Sequence, residues 1–140
     1  MRSGLKTAGA IHRALYRSSG GRFGGTVWGL SILLLTTTGR KTGKARTNPL
    51  CFLPDGDALV VVASNGGMDW SPSWWLNLRA QPRATVQVGR AKRAVRAREA
   101  TPEERERLWA AVTSIAPGYL RYEQRTDRPI PLVILEPADS

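Results

Sequence analysis

Apolar positions along the chain predict a set of six strands with a few short helices. Ala8, Ile11, Ala14 and Leu15 recur at helical spacing between Thr7 and Ser18, with His12, Arg13 and Arg17 elsewhere, which predicts a short amphipathic helix. The glycine-rich run from Ser18 to Gly25 then breaks it and reads as a link. Ile32 to Thr38 is apolar and β-branched, and Thr47 to Leu53 alternates loosely before Pro54-Asp55-Gly56-Asp57, a turn with the Asp-Gly signature of a hairpin. Ala58 to Ala63 is apolar on both faces and so reads as a central strand.

After the turn Ser64-Asn65-Gly66-Gly67, Ser71-Pro72 resembles an N-cap followed by proline at the first helical position. The helix it opens carries Trp74, Trp75, Leu76 and Leu78 and stops before Gln81-Pro82. Thr85 to Val88 and the cationic Arg93 to Glu99 predict two strands around Gly89-Arg90. Thr101-Pro102-Glu103-Glu104 has the spacing of a capping box, ahead of Leu108, Trp109, Val112 and Ile115 on one helical face. Pro117-Gly118 ends that helix. A loop with Tyr119, Tyr122 and Arg128 is expected before a last strand, Pro131 to Glu136. Strands cluster instead of alternating with long helices, so a doubly wound parallel sheet is disfavoured. The expected fold is mostly β or α+β: a small antiparallel barrel over residues 31–140, with the helix and link of residues 1–30 ahead of it.

Composition changes this picture little, and charge changes it more. The 140 residues, 41% hydrophobic and 23% charged, suit a single globular domain. The longest apolar runs fall far short of the ~20 residues that cross a bilayer. No apolar stretch follows Arg2 and Lys6, which argues against a secretory signal. The single cysteine, Cys51, excludes an internal disulfide and fits a cytoplasmic setting. A formal charge of +10 attracts polyanions: nucleic acid, anionic lipid or a phosphorylated cofactor. The N-terminal helix fits either docking on the domain or lying on an anionic membrane at the inner face of the cell membrane.

The cations concentrate at Gly39-Arg40-Lys41-Thr42-Gly43-Lys44-Ala45-Arg46. This is not a P-loop: it is one residue short, alanine follows Lys44 where Ser or Thr would bind magnesium, and a strand follows instead of a helix. What remains is a flexible loop whose N–H groups and cations suit phosphate or carboxylate. His12 is the only histidine, which leaves a His-based metal site or a Ser-His-Asp triad without material. Trp74 and Trp75 read either as core packing or as a wall for a planar ring, with Asn77 offering an amide to ring polar atoms. Ser64 and Asn65 follow a buried strand and are placed to expose a hydroxyl and N–H groups. Tyr119 and Tyr122, three apart, either pack the loop on the barrel or share one cavity as phenol donors. Cys51 reads as a buried filler and not as a catalytic thiol.

Four blocks in register resemble the deazaflavin-dependent nitroreductase family. They are Leu34 to Gly43 followed by Arg46-Thr47-Asn48-Pro49-Leu50; Val62-Ala63-Ser64-Asn65-Gly66-Gly67; Pro72-Ser73-Trp74-Trp75-Leu76-Asn77-Leu78; and Thr126-Asp127-Arg128-Pro129-Ile130-Pro131. The resemblance spans roughly Ser31 to Pro137. It implies a split β-barrel and the 8-hydroxy-5-deazaflavin coenzyme F420 as hydride donor to a quinone, a nitroaromatic or another unsaturated acceptor. It further implies that Arg40, Lys41, Thr42 and Arg46 hold the coenzyme's phosphate or tail carboxylates, with Asn48 and Pro49 beside them. Val62, Ala63, Ser64 and Asn65 would line the ring through backbone groups. Ser73, Trp74, Trp75, Leu76 and Asn77 would form another wall. Tyr119 and Tyr122 would border the acceptor, with Ser64 or either tyrosine stabilising or protonating its oxygens. Relatives often carry a larger residue at the position of Cys51, and some an aromatic at that of Ala116, so this acceptor pocket is expected to differ in shape. The competing readings are a nucleic-acid-binding barrel built on the +10 charge, and a barrel that binds a heme, flavin or fatty acid without catalysis.

Overall fold

The computed structural model describes residues 26–27 and 30–138, with side chains described from Leu30 to Ala138. The expected helix from Thr7 to Ser18, its glycine-rich link and His12 lie outside the described residues. A two-residue strand, β1 (Thr26–Val27), pairs with the start of β2 (Leu30–Thr38). Then follow β3 (Ala45–Asp55) and β4 (Ala58–Val62), a single 3-10 turn (Asn65–Gly67), and helix α1 (Ser73–Ala80). Strands β5 (Arg83–Val88) and β6 (Ala91–Glu99), helices α2 (Pro102–Ile115) and α3 (Gly118–Arg125), and β7 (Leu132–Pro137) complete the chain. The six longer strands run β2-β3-β4-β7-β6-β5, and β5 pairs back onto β2, closing an antiparallel barrel.

Period-two patterning explains the closure. On β4, Leu59 and Val61 point into the barrel while Ala58, Val60 and Val62 point out, and all five are buried. Inside, Leu33, Leu35, Phe52, Val86, Val95, Val133 and Leu135 make one apolar core, joined by Trp74, Trp75 and Leu78 of α1. Helix α1 therefore packs its aromatic face into the barrel interior. Outside, Leu108 and Val112 from α2, Ala116 at its C-terminal cap and Tyr119 from α3 cover β4 and β7. Each buried side chain of this size is worth about 1.5–3 kcal/mol, so both faces of β4 and β7 are strongly held.

The capping box forms as its spacing predicts. Glu104 N–H donates to Thr101 Oγ1 at 3.3 Å, and Thr101 N–H donates to Glu104 Oε1 at 2.9 Å. The same carboxylate accepts a two-pronged contact from Arg98 of β6 at 2.7 and 2.8 Å, which ties helix to barrel.

Three expectations need correction. Ser71 does not cap α1: Pro72, extended at φ −65° and ψ 148°, takes the cap position, and the helix starts one residue later. The segment expected to be a loop through Tyr119 and Tyr122 is helix α3, because Pro117 and Gly118 redirect the chain into a new helix instead of ending helical structure. Strand β3 extends beyond Thr47–Leu53 on both sides.

That longer β3 creates an opening. It pairs with β2 from Ala45 to Phe52, but with β4 only from Phe52 to Asp55. Residues 45–51 thus have a strand partner on one side alone. Pro49, which has no N–H to donate, falls within this half-paired stretch, where proline is tolerated.

Candidate functional site

The open edge of β3 borders a cavity of about 610 Å³, within the range of small-molecule and cofactor sites. Asn48, Pro49, Leu50 and Cys51 line it from β3; Val62, Ser64, Asn65 and Gly66 line it from the end of β4 and the following turn. Trp70 to Trp74 and Leu76 supply a third side, Tyr119 and Tyr122 of α3 a fourth, and Arg40 reaches it from the basic loop. Eleven of the sequence-predicted residues converge here: Arg40, Asn48, Pro49, Val62, Ser64, Asn65, Ser73, Trp74, Leu76, Tyr119 and Tyr122.

The basic loop is a tight connection between β2 and β3. Gly39 N–H donates to Lys44 O at 2.8 Å and Gly43 N–H to Gly39 O at 2.8 Å. Gly43 sits at φ +72°, and a Cβ on Gly39 would lie 3.0 Å from both Lys44 O and Thr42 Oγ1, so the two glycines are required by shape. Lys41, Thr42 and Arg46 are exposed and stand outside the cavity lining. Arg40 alone is drawn inward. Its backbone N–H and Nη1 both donate to Asn77 Oδ1, at 3.1 and 2.8 Å, and Nη1 also approaches Ser73 O at 3.4 Å.

Asn77 was expected to present its amide to a ring, and the structure places it elsewhere. It is 3% exposed, and its Nδ2 donates to Thr37 Oγ1 at 3.2 Å while its oxygen takes both Arg40 donors. It locks the basic loop to β2 and α1. Trp75 and Ala63 also miss the cavity, since both belong to the barrel interior. For Trp75 the core-packing alternative is therefore the one realised.

The turn after β4 presents polar groups that nothing in the described protein satisfies. Ser64 is 7% exposed and its hydroxyl has no hydrogen-bond partner among the described residues. Gly67 N–H donates to Ser64 O at 2.9 Å and Met68 N–H to Asn65 O at 3.2 Å, whereas the N–H groups of Asn65 and Gly66 find no partner among the described residues. Left-handed backbone runs through Asn65 (φ +48°), Gly66 (φ +65°) and Gly67 (φ +79°), which the residue types permit. Ser64 is buried, so leaving its hydroxyl unpaired is costly, and the half-buried N–H groups of Asn65 and Gly66 stand beside it; together they mark this edge as a place for a ligand's acceptors.

Across the cavity, Tyr119 and Tyr122 meet edge to face, with ring centroids 5.8 Å apart at 81°. The Tyr119 hydroxyl shares a hydrogen bond with the Cys51 thiol. Burial, with the neighbouring Cys51, pushes the Tyr119 phenol well above the usual tyrosine range, so it stays protonated. Burial raises the Cys51 thiol too, partly opposed by the Tyr119 hydrogen bond, and it raises Tyr122, opposed by Arg125. Cys51 is thus no mere filler: it borders the cavity and pairs with a tyrosine from another element. Arg128, placed by sequence in a loop and within the last of the four family blocks but given no role, donates to three backbone carbonyls behind the Ser64 turn. No local pattern signals either contact, because each joins segments sixty or more residues apart.

A closed antiparallel barrel with a cavity at a half-paired strand, a cation at its mouth and phenols across it is a split β-barrel with room for a small molecule. A sequence model described as F420H(2)-dependent quinone reductase matches residues 9–137. An F420H(2)-dependent quinone reductase of Mycobacterium tuberculosis (strain ATCC 25618 / H37Rv) is 43% identical over 129 residues, covering 89% of this chain and 87% of its own length. A solved F420-H2 dependent reductase, FDR-A, superposes with a TM-score of 0.69 at 42% identity, covering 75% of this chain and 93% of that one. An FAD-binding protein of Mesorhizobium loti shares the fold alone, at 14% identity and a TM-score of 0.55, over 77% of this chain and 81% of that one. The chain belongs to the F420H(2)-dependent quinone reductase family. It is accordingly an F420-dependent oxidoreductase, within the deazaflavin nitroreductase group its motifs resemble.

Proposed function

We propose that the cavity between β3, the Ser64–Gly66 turn and α3 binds the reduced deazaflavin ring beside a small planar acceptor, a quinone by preference. The observation that carries this reading is the convergence of the unpartnered Ser64 hydroxyl and the Asn65 and Gly66 N–H groups on one edge of a 610 Å³ cavity. Polar atoms along one side of the ring would meet the Asn65 and Gly66 N–H groups, leaving the Ser64 hydroxyl for the acceptor, and Pro49, Trp74 and Leu76 would supply apolar surface to its faces. Arg40, fixed by Asn77, would meet the phosphate at the mouth; Lys41, Thr42 and Arg46 would take tail carboxylates farther out. Asn48 and Val62 add to the wall, while Ala63, Trp75 and Asn77 act by supporting it. Bound there, F420H2 supplies a hydride.

The protein's part is to orient, exclude water and manage a proton. Quinone reduction to hydroquinone takes up one hydride and one proton. Tyr119 is a phenol held protonated at the cavity wall, and Tyr122 lies beside it. Either can donate to an acceptor oxygen as charge develops there, and the Ser64 hydroxyl can stabilise the same oxygen from the opposite side. A nitroaromatic or another unsaturated acceptor makes the same demands. The acceptor class is tested by following the oxidation of F420H2 spectroscopically against a panel of quinones and nitroaromatics. Turnover with quinones and silence with FMN or nicotinamide donors supports the reading; no turnover with any acceptor sinks it.

A further inference from the structure

We propose that Arg128 is a positioning residue that aims the N–H group of Asn65 into the cavity and holds the turn that carries Gly66. This rests on the reading that the Ser64–Gly66 edge receives the deazaflavin ring. Arg128 Nη2 donates to Ser64 O at 2.7 Å and to Ala63 O at 3.3 Å, while Nε donates to Met68 O at 2.8 Å. One guanidinium therefore holds carbonyls at both ends of the turn. A second tie runs alongside: Arg128 N–H donates to Thr126 Oγ1 at 3.2 Å, and that hydroxyl donates to Asp69 Oδ1 at 2.9 Å. Residues 126–128 thus clamp residues 63–69 from behind.

The peptide group converts that clamp into a direction. In a trans peptide the C=O of one residue and the N–H of the next point opposite ways. Fixing Ser64 O on Arg128 therefore turns the Asn65 N–H away from Arg128, towards the side that Asn65 lines. The turn cannot secure this alone. Its left-handed residues at φ +48°, +65° and +79° are held internally by only two backbone bonds, at 2.9 and 3.2 Å. Among the described residues the guanidinium hydrogen-bonds only carbonyl oxygens, with Asp69 acting on it through space, so its hold on the turn is geometric. Its planar fork reaches separate carbonyls at once, which the point charge of lysine cannot match.

Packing adds a reason for precision. A Cβ on Gly67 would lie 2.9 Å from both Tyr122 Cα and Tyr122 O, so the turn is pressed against α3. Drift of the turn would reach the tyrosines as well as the ring edge.

The test compares Arg128→Lys and Arg128→Met with the wild type, full length. Amide hydrogen exchange over residues 63–68 is read without ligand and with F420, alongside the F420 Kd from tryptophan quenching, KM, kcat and Tm. The expected result is exchange over this turn faster by about tenfold in both variants without ligand, and an F420 Kd raised by about tenfold. KM for F420H2 would rise more than kcat falls, the rest of the barrel would keep its exchange rates, and lysine would recover part of the loss seen with methionine. Unchanged exchange and Kd in both variants, while F420 still protects residues 64–66 of the wild type, would overturn the positioning role alone. So would exchange rising equally across the barrel, which marks a general loss of stability. Binding of F420 to the wild type with no protection of residues 64–66 would remove the underlying reading and the proposal with it.

Discussion

Tyr119 shows how one residue's chemistry depends on partners that a local sequence pattern does not reveal. Its spacing from Tyr122 suggested a shared cavity, and they do share one. The thiol that meets its hydroxyl comes from β3, 68 positions earlier, which no periodicity predicts. Because burial keeps this phenol protonated, Tyr119→Phe is expected to lower kcat with quinones by about a hundredfold while leaving the F420 Kd nearly unchanged. Stopped-flow oxidation of F420H2 reads both, and an unaltered kcat in the Tyr119→Phe, Tyr122→Phe double variant would remove the pair as proton donors. The sign of the pH effect follows from the direction of the shift. A raised tyrosine remains an acid as pH climbs through 10, where an exposed one ionises, so no activity loss traceable to Tyr119 should appear by that pH. Asn77 carries the opposite lesson. Its place in a family block was legible, but its role as the lock between Arg40 and Thr37 depends on three segments meeting.

At the level of elements, the strands and the capped helix were legible because each has a local cause. The unbroken apolar run of β4, the Asp-Gly turn and the Thr101–Glu104 box need no tertiary information. Helix α3 was hidden, since Pro117-Gly118 is normally a stop signal and most of its surface is polar. Two tests belong here. Gly67→Ala forces a side chain into left-handed backbone and onto Tyr122, so it should cost more than about 1 kcal/mol and weaken F420 binding, whereas Gly56→Ala, with open space around it, should cost less and leave binding intact. Thermal melts with paired titrations separate the two. Glu104 is held down to about 2 from 4.5, chiefly by Arg98. Its contribution is complete above pH 4.5 and is lost as pH falls towards 2, so Glu104→Gln should lower Tm at neutral pH and flatten the acid limb of the Tm profile.

For the whole molecule, the +10 charge raised several polyanion partners at the outset, and charge alone could not choose among them. Closure of the barrel did more. It leaves β3 half-paired, opens the cavity there, and sets the basic loop at one rim so that only Arg40 reaches inside. The split barrel was foreseen through motif resemblance. The strand that splits it was not, because that depends on β4 ending at Val62 while β3 runs on. If Lys41 and Arg46 serve the coenzyme's tail, neutralising both should raise the Kd for F420 with a long glutamate tail and flatten its salt dependence, as expected when exposed charges are screened within about 8 Å at physiological ionic strength. A deazaflavin lacking the tail should bind both proteins alike in a tryptophan-quenching titration.

The most direct measurement of the central claim is a crystal structure of the protein with F420. The tricyclic ring is expected in the cavity at the open edge of β3, its polar edge on the N–H groups of Asn65 and Gly66, with the phosphate near Arg40. A ring bound on another face of the barrel, with Ser64 to Gly66 untouched, would contradict it.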